Sequence, residues 1–570
     1  MKTSTRKVLD KSFTLTSYAS LALMCLVIVL FLAPIIVNGI GAVVFRATVE
    51  HDKFLYETLG RESSGYREEL EKSNAARKPL YEMMAHFEKS DNYGHLVEKI
   101  NAARAQCLSK LESEADIIFA ALDIEDSRER LEKVRAIADA AWSPYINEIS
   151  ALADDSLHNG GTLSAAEILK KQSNSLPGAA KLALNSLYEK KKLSFQQKSM
   201  LRRNFTSFPM SALAQNLEKL EQANAAYNSF KKGVAELLGP STAAEKEKLN
   251  LLRQKYGQPR ENLARDVFEQ SVLHISVAEK DAEGRDVVRK VESAEYFKGT
   301  PVGEMISYMQ KNMPQMMQYH WTVYLGFFFD NPYDSNIFGG IWPMILGTFY
   351  LTVGAMLIAA PLGVIAAIYF SEYAKPGRLV SLLRMCVGTL AGVPSIVFGL
   401  FGLSFLINTL RVSESKSVLA GAITLALLIL PTIIRASEEA LKSVPNSFRE
   451  AALGLGAGKW KSICSVILPS ALPGMLTGII ISMGRAAGET APIIFTAATS
   501  TGAALAVWEV FTQATPALPW NIYNMCSEHE MADKVQHVQY GMVLTLIAIV
   551  LTLNMVAILI RAKIQKKLKN

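Results

Sequence analysis

The chain has 570 residues, half of them hydrophobic and a fifth charged, and it carries a net charge of +7. Those averages resemble a soluble protein's, but they conceal two populations, and the location of the basic residues makes the charge a sign of membrane topology instead of nucleic-acid binding. The five cysteines (Cys25, Cys107, Cys386, Cys464 and Cys526) show neither metal-ligand spacing nor a disulfide framework.

Uncharged runs of membrane-spanning length occupy residues 12–45, 335–371, 385–410, 417–434, 462–484 and 535–560. Each supplies the roughly 20 apolar residues needed to cross a bilayer. The first is expected to be an uncleaved anchor, because its apolar stretch far exceeds the core of about 7–15 residues in a signal peptide. The expected fold is an all-α polytopic membrane protein with six transmembrane helices and a large, mainly helical periplasmic insert between the first and second. Three regions follow: the N-terminus and first helix at 1–46, the insert at 47–340, and a five-helix core at 341–570.

In the insert, Leu131, Val134, Ala138 and Ala141 recur at helical spacing, as do Leu213, Leu217, Leu220, Tyr227 and Phe230. Ser164 and Glu167 have the spacing of a capping box at a helix start. Strand-like alternation is short, as around His274 to Val277. The charge runs at 189–192 and 245–248 are solvated helix faces. His158, His274 and His320 are too scattered in sequence to define a metal site, so neither a metal nor a cofactor is expected.

Near Gln318 the composition changes. Trp321, Tyr324, Phe327, Phe328 and Phe329 suit either a membrane interface or the packed base of a soluble domain. In the second apolar run, Gly347, Gly354 and Gly363 permit close helix approach. The third contains Gly392-Val393-Pro394-Ser395, where a proline beside glycine breaks regular hydrogen bonding. Ser395 then has two readings, a residue lining a pathway or part of a kink needed for packing.

Between the fourth and fifth runs lies PNSFREAALGLGAGKWKSICSVILP, residues 445–469. Ser447 and Glu450 have capping-box spacing, while Gly454, Gly456 and Gly458 end the helix after about two turns. A stub this short must dock on something. Glu450, Ala451, Ala452, Gly456, Val466, Leu468 and Pro469 resemble the EAA loop of ABC importer permeases, with Val466 where that family usually has Ile. The resemblance implies a cytoplasmic coupling loop at about 435–465 that seats on an ATPase.

The fifth run leads into Gly484-Arg485-Ala486-Ala487-Gly488-Glu489-Thr490. Arg485 and Glu489 stand four apart and can pair on one helix face. Charges at membrane depth cost several kcal/mol and usually face an interior pathway, and the arginine fork suits an oxyanion. The alternative is a pair at the outer interface that only orients the helix. Residues 490–508, rich in Thr, Ser and Gly, are expected to be exposed or re-entrant and not a seventh span.

Lys2, Arg6, Lys7 and Lys11, the 375–384 loop, the EAA loop and the basic tail from Arg561 to Lys569 all fall on one side of a six-span chain. That side is expected to be the cytoplasm, with both termini there. The segments GVPSIVFGLFG, RASEEALKSVPNSFREAALGLGAGKWKSI and GRAAGETAPIIFTA together resemble phosphate ABC transporter permeases of the PstA type. The long insert departs from that family's compact form. The resemblance implies a bacterial inner-membrane protein that imports inorganic phosphate. It also implies an ATPase dimer, a second related permease and a periplasmic phosphate-binding protein as partners, with a substrate path through Arg485, Glu489, Thr490 and Ser395. A permease for another oxyanion, sulfate or molybdate, is the nearest alternative, and a membrane-anchored sensor or scaffold a more distant one. Gly454 to Trp460 does not form a phosphate-binding loop, since Leu453 and Trp460 stand where Gly and Ser or Thr are required. The chain is therefore expected to be a transport subunit and not an enzyme, with ATP hydrolysed by a partner.

Overall fold

The computed structural model describes every residue except 1–2, 64, 89–92, 160–161, 207–210, 281–284 and 570. The chain divides into two compact units, one formed by Met1–Phe45 with Trp321–Asn570 and the other by Arg46–His320.

The Arg46–His320 unit is built on long helices, among them Tyr66–Glu88, Tyr93–Ser113, Ser127–Asn159, Thr162–Lys190 and Ser211–Leu238. The helical spacing read from the sequence locates its core. Val134, Ala138, Ala141, Leu220, Tyr227 and Phe230 are buried. Leu131, at 42% exposed, marks the outer limit of its stripe, and Leu213 lies outside the residues whose side chains are described. The alternation at His274–Val277 becomes a strand, His274–Lys280, paired antiparallel with Asp286–Glu292 so that Val277 faces Arg289. Ser164 does not begin a helix, because Thr162–Lys190 already includes it.

A buried ion pair sits in this unit. Arg77, 4% exposed, pairs with the fully buried Glu50 and also donates to the carbonyls of Met316 and Leu238. An arginine at such a site is tolerated because its donors are met by partners at fixed angles.

In the other unit, five helices are long and apolar enough to cross a membrane: Phe13–Ile40, Trp342–Tyr373, Val418–Lys442, Lys459–Gly488 and Gln536–Lys566. The third apolar run is two helices, Arg378–Leu390 and Ser395–Thr409, bent by 103° at the intervening break. Counted as one broken span, the pair brings the total to six. The Pro394 break is therefore far sharper than a kink, since proline offers no N–H and fixes its own φ near the start of a new helix. Residues 490–508 hold a short helix, Ala491–Thr496, a two-residue strand and irregular chain, with no seventh span.

The small residues of the second span work as expected. A side chain at Gly354 would stand 2.9 Å from Ala422 Cβ, and one at Gly363 would stand 2.6 Å from Ile433 Cγ2. Trp342–Ile368 and Val418–Lys442 thus meet almost backbone to backbone, which maximises dispersion contacts where lipid supplies no hydrophobic drive. Of the aromatics near Gln318, Tyr324 and Phe327 are buried, and Tyr324 donates to Asp330 Oδ2 at 2.7 Å, whereas Trp321 and Phe329 are 72% and 66% exposed.

Candidate translocation and coupling sites

The helix Lys459–Gly488, the fifth span when the bent pair is counted as one, leads from one candidate site to the other. At its far end Arg485 lies in the last turn, where a cation meets the negative end of the helix dipole. The helix stops at Glu489, whose backbone turns to an extended conformation (φ −79°, ψ 125°). Thr490 precedes the short helix Ala491–Thr496. Arg485 Nε and Glu489 Oε2 are 3.9 Å apart, so the predicted pair forms, but loosely. Their environments differ. The Arg485 side chain is 45% exposed and that of Glu489 19%.

Glu489 lines a small cavity together with Thr348, Thr352, Leu425, Ala487 and Pro519. Thr348 Oγ1 accepts from Leu518 N at 2.9 Å and donates to the Met344 carbonyl, and Thr352 Oγ1 donates to the Thr348 carbonyl at 2.7 Å. The two threonines were not among the residues singled out from the sequence. Their only signal was a four-residue spacing on the glycine-bearing second span.

Ser395 is half-buried and opens the helix that follows the Pro394 break. One turn later, a Cβ at Gly399 would stand 3.0 Å from both Ala491 O and Pro492 Cα. The helix that follows the Pro394 break therefore packs against the helix that follows Glu489. Each begins at a break in its span, and such breaks are tolerated at membrane depth only where protein or a cavity receives the freed backbone polar groups.

The coupling stub is the helix Asn446–Gly454, at the Lys442 end of helix Val418–Lys442. Lys459, which begins the next span, is roughly 40 Å of helix away from Arg485 at 1.5 Å per residue. The predicted capping box does not form. Pro445 is the N-cap, no side chain caps the helix, and Ser447 lies inside it, because the fixed φ of proline starts the helix two residues early. Glu450 and Ala451 are exposed, Ala452 is buried, and Gly456 closes the stub in the left-handed region at φ 79°.

What holds the stub is Arg449. Its Nη2 lies 2.8 Å from Glu372 Oε1 and also donates to the Leu441 carbonyl at 2.8 Å, while Nη1 donates to the Val444 carbonyl at 2.7 Å. Glu372 is 8% exposed on its side chain and ends the second span in a π-helical turn, Tyr369–Tyr373. One guanidinium thus ties the stub to the ends of two spans. Beside it, Glu438 joins Arg384 at 2.8 Å and Lys442 at 2.7 Å. The stub buries only Ala452 of its own residues, and leaves Phe448, Leu453, Leu455 and nearby Trp460 48%, 55%, 89% and 64% exposed. A contiguous apolar surface of that kind marks a docking face.

Residues 359–570 match the family described as binding-protein-dependent transport system inner membrane component. The chain is 40% identical over 223 residues to the phosphate transport system permease protein PstA 1 of Mycobacterium tuberculosis, a match covering 39% of this chain and 71% of the relative. It is 37% identical over 233 residues to the phosphate transport system permease protein PstA of Yersinia pestis, covering 41% and 76%. Against the probable ABC transporter permease protein YqgI of Bacillus subtilis it is 33% identical over 239 residues, covering 40% and 80%. A solved inward-facing structure of the MetNI methionine ABC transporter aligns at 18% identity and a TM-score of 0.31, covering 40% of this chain and 94% of that one.

The chain therefore belongs to the family of binding-protein-dependent transport system inner membrane components, the multi-pass permease subunits of ABC importers. Such subunits are not themselves enzymes and work with an ATPase and a substrate-binding protein. Within that family it is a permease of the PstA type.

Proposed function

We propose that this chain is the transmembrane permease subunit of an ATP-driven importer of inorganic phosphate. The observation that carries the reading is the 37–40% identity to proteins named as phosphate transport permeases, across more than two thirds of their length. The chain crosses the inner membrane six times, with both termini and the 435–465 loop in the cytoplasm and residues 47–340 in the periplasm, as the basic residues require. A periplasmic phosphate-binding protein delivers the anion, a second related permease completes the path, and a dimer of a separate ATPase seats on the stub. Three features support this division of labour. The exposed apolar stub offers a docking face, Arg449 ties it to two spans, and helix Lys459–Gly488 leads from it to Arg485.

In this reading Arg485, half-exposed at the helix end, meets the oxyanion with its bidentate donors. Glu489 and the Thr348–Thr352 cavity lie along the route inward. Ser395 and Thr490 flank it at the two breaks, where helix ends can move without unmaking a continuous hydrogen-bond ladder. Glu450, Ala451, Ala452 and Gly456 make the ATPase contact. The decisive measurement is uptake of radiolabelled phosphate by proteoliposomes holding the complete importer. ATP-dependent accumulation that excess sulfate and molybdate leave undiminished is expected, and preferential sulfate uptake would overturn the substrate assignment. Arg485→Gln is expected to abolish uptake while the complex still assembles, and undiminished uptake would remove Arg485 from the path.

A further inference from the structure

Three side chains far apart in sequence converge in the Arg46–His320 unit. Asp52 stands early in helix Val49–Leu59, Glu69 in the first turn of Tyr66–Glu88, and His320 just beyond the end of Pro301–Met317. One ligand atom from each lies within 4.8 Å of the other two. Asp52 Oδ2 is 3.2 Å from His320 Nε2, and Glu69 Oε2 is 3.8 Å from His320 Nδ1.

Two further observations point to a bound cation. Asp52 is 3% exposed, and its buried Oδ2 has no polar partner among the described residues besides His320 Nε2 at 3.2 Å. A buried carboxylate oxygen in that condition is costly unless a positive charge meets it. His320 Nδ1 lies 3.2 Å from the Gln318 carbonyl, close enough to donate to it. Gln318 is held in the left-handed region at φ 49° at the end of its helix, which fixes the direction of that carbonyl. A backbone carbonyl accepting from one ring nitrogen fixes the tautomer and leaves the other nitrogen to a metal. Nε2 then directs its lone pair at Asp52 Oδ2, and acceptor faces acceptor until a proton or a metal ion lies between them.

We propose that Asp52, Glu69 and His320 form a divalent transition-metal site, with Zn2+ the preferred ion, that fastens the last residues of the inserted unit to its first two helices. One imidazole and two carboxylates form a donor set that zinc accepts, at about 2.0–2.2 Å per bond. Ligands at that distance from one ion stand roughly 3.5 Å apart, a spacing the Asp52–His320 pair already has. Glu69 Oε2, which lies nearest the other ring nitrogen, must swing toward Nε2, and its 31% exposed side chain is able to do so. His320 is 28% exposed, so water reaches the fourth position. In the metal-free chain a proton on Nε2 takes the ion's place. No redox step is involved.

The test is zinc binding by the tag-free, full-length protein in detergent, stripped with chelator and titrated with ZnCl2 by calorimetry, with metal content measured afterwards. One Zn2+ per chain is expected, with a zinc-dependent rise in melting temperature and an X-ray absorption shell of nitrogen and oxygen near 2.0–2.1 Å. His320→Gln should weaken binding about 100-fold and the partly exposed Glu69→Gln about tenfold, in keeping with the loss of a ligand. Asp52→Asn should abolish it, and the two more exposed variants keep the test open if that protein fails to fold. Unchanged melting with zinc would show that the three residues form only a proton-bridged ion pair. Binding that His320→Gln leaves untouched, or a shell containing sulfur, would place the ion elsewhere. Either result overturns the proposal.

Discussion

In the inserted unit the largest side chains are the deepest: Trp142, Tyr145, Tyr227 and Phe230 are each at most 1% exposed. In the membrane unit small residues share the interior with branched aliphatics, Ala355, Ala359 and Ala420 lying at 0% as do Ile429 and Ile433, while Leu357 and Ile365 on the second span are 71% and 64% exposed. The reversal follows from the solvent. Water expels large apolar surface, so aromatic bulk collects inside the unit it surrounds. Lipid tails are as apolar as leucine and expel nothing, so spans are held by close approach, and close approach needs small residues.

The sharpest way to break this contrast is truncation. Phe230→Ala should destabilise the inserted unit by about 3–5 kcal/mol, the range for emptying a buried aromatic site. Leu357→Ala, on the lipid-facing side, should leave yield and melting nearly unchanged, and equal losses in chemical denaturation would end the contrast.

Enlargement tests it from the other side. Gly363→Leu drives a side chain into Ile433 and should cost at least about 1–3 kcal/mol, read as loss of monodisperse protein in detergent. Gly178, in helix Thr162–Lys190, has no atom within 4 Å of an added Cβ. There the same change should be neutral or stabilise by up to about 1 kcal/mol, because glycine is a poor helix former.

The Arg449 tie gives a smaller effect confined to the membrane unit. Arg449→Met leaves the nearly buried Glu372 without its guanidinium, a loss of about 1–3 kcal/mol. In the reconstituted importer, ATP hydrolysis should continue while its stimulation by loaded binding protein falls roughly tenfold, and full stimulation would show that the stub does not depend on this tie.

The smallest effect is on pH and should appear in the inserted unit alone. His320 is raised to about 9, chiefly by its contact with the Asp52 carboxylate and against burial. Burial first of all lowers His51 to about 4. Protonated His320 therefore stabilises the fold below pH 6.5, and that contribution is lost as pH rises through about 9. His51 folds neutral, so its cost begins as pH falls below 6.5 and grows toward 4. With chelator present, stability of this unit should peak near pH 6.5 and decline by roughly 2 kcal/mol toward either end. A monotonic profile would contradict the pair.

The sequence alone located the apolar runs, the helical character of the insert and its core stripe, the short strand at His274, and the positions of the stub and of Arg485 and Glu489. These are local properties, since hydropathy, spacing and proline chemistry act over a few residues. It misplaced the start of the stub, because a capping-box pattern and a proline N-cap compete within three residues and the fixed φ of Pro445 prevails. It also missed what depends on distant partners. Glu372 meeting Arg449, Thr348 and Thr352 facing Glu489, and His320 arriving between Asp52 and Glu69 are decided when separate helices pack. Before packing, each of those residues looks like any other polar side chain on a helix. The stub keeps its apolar residues exposed for the same reason: no other described residue of this chain packs over them.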